Sequence, residues 1–81
     1  MKIVGICEKI EFAVGFRLSG IDCKILKDDN LLKKIEEIAK DSNIGIIIVT
    51  DSLYQKSQKE INEFRRKNKF PLIVNLSSKT N

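Results

Sequence analysis

Ile44-Gly45-Ile46-Ile47-Ile48-Val49-Thr50 is the stretch on which the fold turns. Ile46 to Val49 is an unbroken β-branched run with no polar position in it. Such a run reads as a central strand covered on both faces, as parallel sheets require. It falls far short of the ~20 apolar residues of a membrane span. Working outward, three further apolar runs appear at Lys2–Cys7, Asp22–Leu26 and Leu72–Leu76. Between the runs lie helical patterns at about 12–19, 30–40 and 52–68. Strands alternating with helices in this way indicate an α/β fold, a small parallel four-stranded sheet flanked by helices.

The helical segments differ in how many faces they offer to a core. In the second, Leu31, Leu32, Ile35, Ile38 and Ala39 fall within about 120° of arc, with lysines and glutamates opposite. The third is leaner, with Leu53, Ser57, Ile61 and Phe64 inward and Tyr54 at the border. The first carries two stripes: Phe12 and Phe16 on one side, Val14 and Leu18 near the opposite side, with Ile21 extending the latter. One stripe packs on the sheet, and the other needs separate cover, from nearby loops or from a partner. Periodicity alone does not say which. Arg17, between the stripes, is suited to bidentate pairing with a carboxylate. Gly20 is expected to stop the first helix. Asp28 or Asp29 is expected to cap the second and Asp51 the third. Pro71 is expected to open the last strand, at an edge.

The chain has 81 residues, of which 42% are hydrophobic, enough for one core and one domain. With no histidine and two cysteines it offers no zinc ligand set. Its net charge of +4 comes from 15 basic and 11 acidic residues spread through the helices. The densest basic group, Arg65-Arg66-Lys67 followed by Lys69, sits at a helix end, where cations complement the dipole. The apolar start is interrupted at Glu8 and Lys9, too early for a signal peptide, so a cytosolic protein is expected. Strand arithmetic sets Cys7 and Cys23 three residues out of register, roughly 10 Å apart. That exceeds a disulfide's reach and favours two buried thiols.

In a doubly wound sheet, ligands sit beyond the strand carboxyl ends where strand order reverses. Cys7, Glu8, Thr50, Asp51 and Ser52 would line that crevice. There is no glycine-rich phosphate loop after the first strand and no second acid beside Glu8. Asp51 therefore lacks the acidic pair and the fifth-strand lysine of a phosphoacceptor site. Cys7 lacks an activating histidine, and Glu8 with Glu11 has no supporting constellation. No catalytic, cofactor or metal site is expected.

Gly15-Phe16-Arg17-Leu18-Ser19-Gly20-Ile21 closely resembles the signature that follows the first strand in the F subunit of the V-type/A-type rotary ATPases. Ile46–Asp51 and Phe70–Ser78 fit the same family in the right order, so the resemblance covers nearly the whole chain. The fold expected is therefore Rossmann-like or receiver-like, with strand order 2-1-3-4. The resemblance implies a non-catalytic rotor component of the central stalk, which binds the coiled-coil axle (the D subunit) and modulates ATP-driven rotation. It further implies contact with the rest of the soluble V1/A1 head and stalk, peripheral placement on the cytoplasmic side, no nucleic acid and no membrane insertion. Phe12, Val14, Phe16, Arg17, Leu18 and Ile21 are the candidate partner-binding residues. Residues 1–76 are expected as the single domain and 77–81 as a tail. The family generally continues into a further C-terminal segment ending in a helix, whereas this sequence stops at Asn81, either by truncation or because this member lacks the element. The stalk contacts and regulation that belong to that tail are therefore set aside. Ser77-Ser78 keeps only the serine of the family's Pro-Ser turn. The second half also looks like the ribosomal kink-turn RNA-binding family, but the glycine-rich RNA-contacting helix start of that family has no counterpart.

Overall fold

Each apolar run becomes a strand in the structure, a computed structural model that describes residues 1–27 and 30–76. The elements are β1 (Lys2–Cys7), α1 (Ile10–Leu18), β2 (Asp22–Ile25), α2 (Leu31–Ala39), β3 (Ile44–Thr50), α3 (Asp51–Lys56), α4 (Gln58–Lys67) and β4 (Leu72–Leu76). The strands form one sheet in the order β2-β1-β3-β4, every neighbouring pair parallel, as expected. The chain steps one way from β1 to β2, then back past β1 to β3 and β4. With right-handed crossovers, that reversal puts the first connecting helix on one face and the later ones on the other.

The two faces are unequally covered. On one, Val4, Ile6, Ile47, Val49 and Ile73 pack with Leu31, Ile35 and Ile38 of α2, Leu53 of α3, and Ile61 and Phe64 of α4. On the other, α1 packs on β1 and β2, burying Cys7, Ala13, Phe16 and Cys23. Ile46 and Ile48 of β3 point to this second face and are only partly buried. The reading of β3 as a strand covered on both faces is thus corrected: among the described residues, its cover is complete on one side alone.

Helix ends account for the remaining differences. Asn30 caps α2, its Oδ1 accepting from the backbone N–H of Leu32 at 2.8 Å and of Lys33 at 3.4 Å. Asp28 and Asp29, expected in that role, lie outside the described residues. Thr50, not Asp51, occupies the cap position of α3. Asp51 is the first helical residue, and its Oδ1 accepts from Asn75 at 2.9 Å and Gln55 at 3.3 Å, tying α3 to β4. The expected third helix is two helices, broken at Ser57 (φ −121°, ψ 20°). Ser57 is itself buried, so the inward stripe runs through the break undisturbed.

Gly20 ends α1 with φ 81°. Gly20 N–H donates to Arg17 O at 3.0 Å and Ile21 N–H to Phe16 O at 2.8 Å, the paired bonds of a Schellman turn. The chain leaving that turn brings Ile21 under α1 beside Phe16, not onto the Val14–Leu18 side. Pro71 immediately precedes β4, which is a sheet edge. No described helix is long and apolar enough to cross a membrane.

Candidate partner interface

The α1 segment begins at Ile10, two residues earlier than periodicity suggested. Its inward face is fixed by a glycine on the sheet. A Cβ on Gly5 would stand 3.1 Å from the Phe16 ring, so the bare backbone is what lets that ring seat. Ala13 is fully buried beside it. Phe12, Ile21, Ile25 and Ile48 pack around this small core, each partly exposed. Arg17 leans toward β2, its Nη2 3.4 Å from the Cys23 carbonyl oxygen.

The opposite face carries apolar side chains in the open. Ile10 is 62% exposed, Val14 48% and Leu18 84%. Spaced four residues apart, they form one line along the helix. Val14 and Leu18 were candidates; Ile10 was missed because it precedes the expected start, although its spacing from Val14 is the signal that would have included it. Of the other candidates, Phe16 is spent on the core, Phe12 and Ile21 flank it, and Arg17 is exposed at the β2 side.

Beside α1, on the same sheet face, lies an apolar strip that sequence reasoning missed. The register aligns Ile46 with Leu72, Ile48 with Val74 and Thr50 with Leu76. Leu72, Val74 and Leu76 are 51%, 43% and 41% exposed. A groove of about 290 Å³ runs between this strip and α1, lined on the helix side by Glu11, Phe12, Gly15 and Ser19 and on the sheet side by Ile48 and Leu76. Gly15 has nothing within 4 Å of where its Cβ would be, leaving room for another backbone to approach. The signal was present in the chain: β4 is apolar at alternate positions facing α1's side, and order 2-1-3-4 supplies only one crossover helix there.

The strand carboxyl ends are occupied by structural pairs. Glu8 Oε2 and Lys56 Nζ lie 2.6 Å apart, joining the β1 end to α3. Cys7, placed in the crevice by sequence, is fully buried under α1 instead. Its Sγ is 3.1 Å from that of Cys23, the two free thiols sharing a hydrogen bond and no disulfide. The expected separation was too long, because Gly5 aligns with Cys23 and the cysteines are offset by only two positions on the same face. Burial, then the hydrogen bond and charge of Cys7, push the Cys23 thiol up to about 12. It stays protonated and unreactive at neutral pH. Among the described residues, no three His, Cys, Asp or Glu side chains gather as a metal site. Among the described residues, the α1 ridge and the β4 strip together form one open apolar face.

Known proteins resemble this chain along most of its length. The family model described as "ATP synthase (F/14-kDa) subunit" matches residues 3–81. Among curated proteins, the F subunit of an A-type ATP synthase from Methanocaldococcus jannaschii is 31% identical over 65 residues, 78% of this chain and 66% of that protein. The corresponding F subunit from Methanocella arvoryzae is 42% identical over 48 residues, 57% of this chain and 48% of that protein. The matches thus span between about half and two thirds of the relatives' length. No solved structure matches the chain.

Proposed function

This chain belongs to the family of ATP synthase F subunits, and on that premise we propose that it is a non-catalytic central-stalk component of an A/V-type rotary ATPase. Residues 1–76 act as its one domain. It packs on the coiled-coil axle, the D subunit, turns with it, and modulates rotation through that contact. It meets the rest of the soluble head and stalk around the axle and reaches the cytoplasmic side of the membrane only through the complex.

One observation carries this reading: the described residues leave an apolar ridge, Ile10–Val14–Leu18, and an apolar strip, Leu72–Val74–Leu76, open on the same side. Patches of this kind on a small domain mark interfaces. A coiled-coil partner is a helical surface whose apolar side chains recur along its length. A helix lying in the groove beside α1 would complete the missing half of that layer, as α2 and α4 complete the other face. Apolar burial at ~25 cal/mol per Å² then supplies the attraction, while the ordering costs of association decide how much is left as affinity. Of the residues named from sequence, Val14 and Leu18 serve as direct contacts, Phe12 and Ile21 as groove edges, and Phe16 holds the ridge in place. Arg17 pairs with a carboxylate at the rim.

Co-expression with the axle protein of the same genome, followed by size exclusion, tests the proposal. A one-to-one complex is expected. Separate elution of two folded proteins would remove the stalk assignment.

A further inference from the structure

The same face also suits a partner of a different kind, whether or not the axle binds there. It consists of a ridge and a trough side by side. The ridge is the outer line of α1, over β1 and β2; the trough is the open strip over β3 and β4. Rotate a second copy by 180° about an axis parallel to the strands, above the β1–β3 boundary. Each ridge then lies over the other copy's trough, and the two α1 helices fill one layer between two sheets. Because this axis preserves direction along the strands, Val14 of one copy meets Val74 of the other.

We propose that the chain self-associates through this face as a two-fold, ridge-into-trough dimer. Such an isologous contact needs one surface to be complementary to itself, and this one supplies both parts. The area is sufficient. Ile10, Val14, Leu18, Leu72, Val74 and Leu76 together expose roughly 600 Å² per copy, whereas a standard interface uses about 800 Å² per partner, of which about 60% is apolar. Gly15 and Ser19, which line the groove, let the two α1 helices approach closely where they run side by side. Glu11, in the first turn of α1 and exposed in the single chain, lines the same groove beside Leu76, so in the dimer its carboxylate must stay at the solvent-facing end of the layer. The alternative route, pairing of the β4 edges, is obstructed: Arg65 Nη2 already occupies the Ile73 carbonyl at 2.7 Å.

Sedimentation of the isolated chain over a concentration series from about 5 to 500 μM tests this in the range that such an area supports. The mass is expected to rise from 9.3 kDa toward twice that value. Val14→Lys in the ridge and Val74→Lys in the trough should each weaken the dimer at least tenfold, with circular dichroism unchanged and with the melting temperature unchanged at concentrations dilute enough for the parent to be monomeric. A mixture of Val14→Cys and Val74→Cys chains should cross-link under copper–phenanthroline oxidation, while neither variant alone does so. A 9.3 kDa species at every concentration overturns the proposal and leaves the face to another partner. So does a dimer that both lysine variants leave intact, or a mixture that fails to cross-link although dimeric. The axle protein is absent from all of these measurements, so they read self-association alone; because both partners would cover the same residues, the axle and a second copy compete for this face.

Discussion

The Phe16 ring closes on Gly5 so tightly that a Cβ there would stand 3.1 Å from it. A methyl is the most this contact would tolerate, and only if the ring shifts by a few tenths of an ångström. Gly5→Val forces α1 away from β1 and should destabilise the fold by about 1–3 kcal/mol, the usual cost of overpacking. Gly5→Ala should cost less. Urea unfolding of the two variants checks the order; a Val variant as stable as the parent would show that α1 rides loosely on the sheet.

Phe16 and Leu18 are neighbours on α1 with opposite duties. Phe16 is 6% exposed and Leu18 84%. Phe16→Ala leaves a cavity and should lose about 3–5 kcal/mol. Leu18→Ala removes nothing from the core and should stay within about 0.5 kcal/mol of the parent. Chemical denaturation of both reads the difference directly, and equal losses would mean that the outward line of α1 is covered.

The cysteine pair makes stability fall in alkali. The Cys23 thiol is raised from 9.0 to about 12 by burial and by Cys7. The folded state therefore holds its proton at pH values where the unfolded chain has released it. The contribution is complete below pH 9.0 and is lost between there and about pH 12. The slope approaches about 1.4 kcal/mol per pH unit at most. Unfolding free energies measured from pH 8 upward should decline more steeply for the parent than for Cys23→Ala. Parallel declines would assign the alkaline loss to other groups.

Arg65 protects the sheet edge. Its guanidinium donates to Ile73 O at 2.7 Å and Tyr54 OH at 3.1 Å, and lies 5.8 Å from the Tyr54 ring centre. Arg65→Ala frees a carbonyl on β4 and should cost about 1 kcal/mol while promoting aggregation through the bared edge. Thermal melting with light scattering measures both, and an unchanged scattering onset would show that the edge is guarded by other means.

Most of the fold was legible because each element declares its own period. β1, β3 and β4 stand at their expected bounds, and α2 buries the stripe that its spacing announced. The break at Ser57 was not legible, since the inward residues keep a helical spacing on either side of it. The cysteine contact depended on strand register, which runs of apolar residues do not specify. The candidate face was half visible. Val14 and Leu18 announce themselves on a helical wheel, whereas the strip on β4 emerges only when strand order and crossover handedness leave it without a helix.

Titration of the axle protein into the parent chain and into Val74→Lys, followed by calorimetry, reads whether this face carries the stalk contact. Val74 is 43% exposed, so this variant should fold as the parent does. A one-to-one complex is expected for the parent and at least a tenfold loss of affinity for the variant. Equal binding by the two proteins would contradict the assignment of this face, and no binding by either would contradict the stalk function itself.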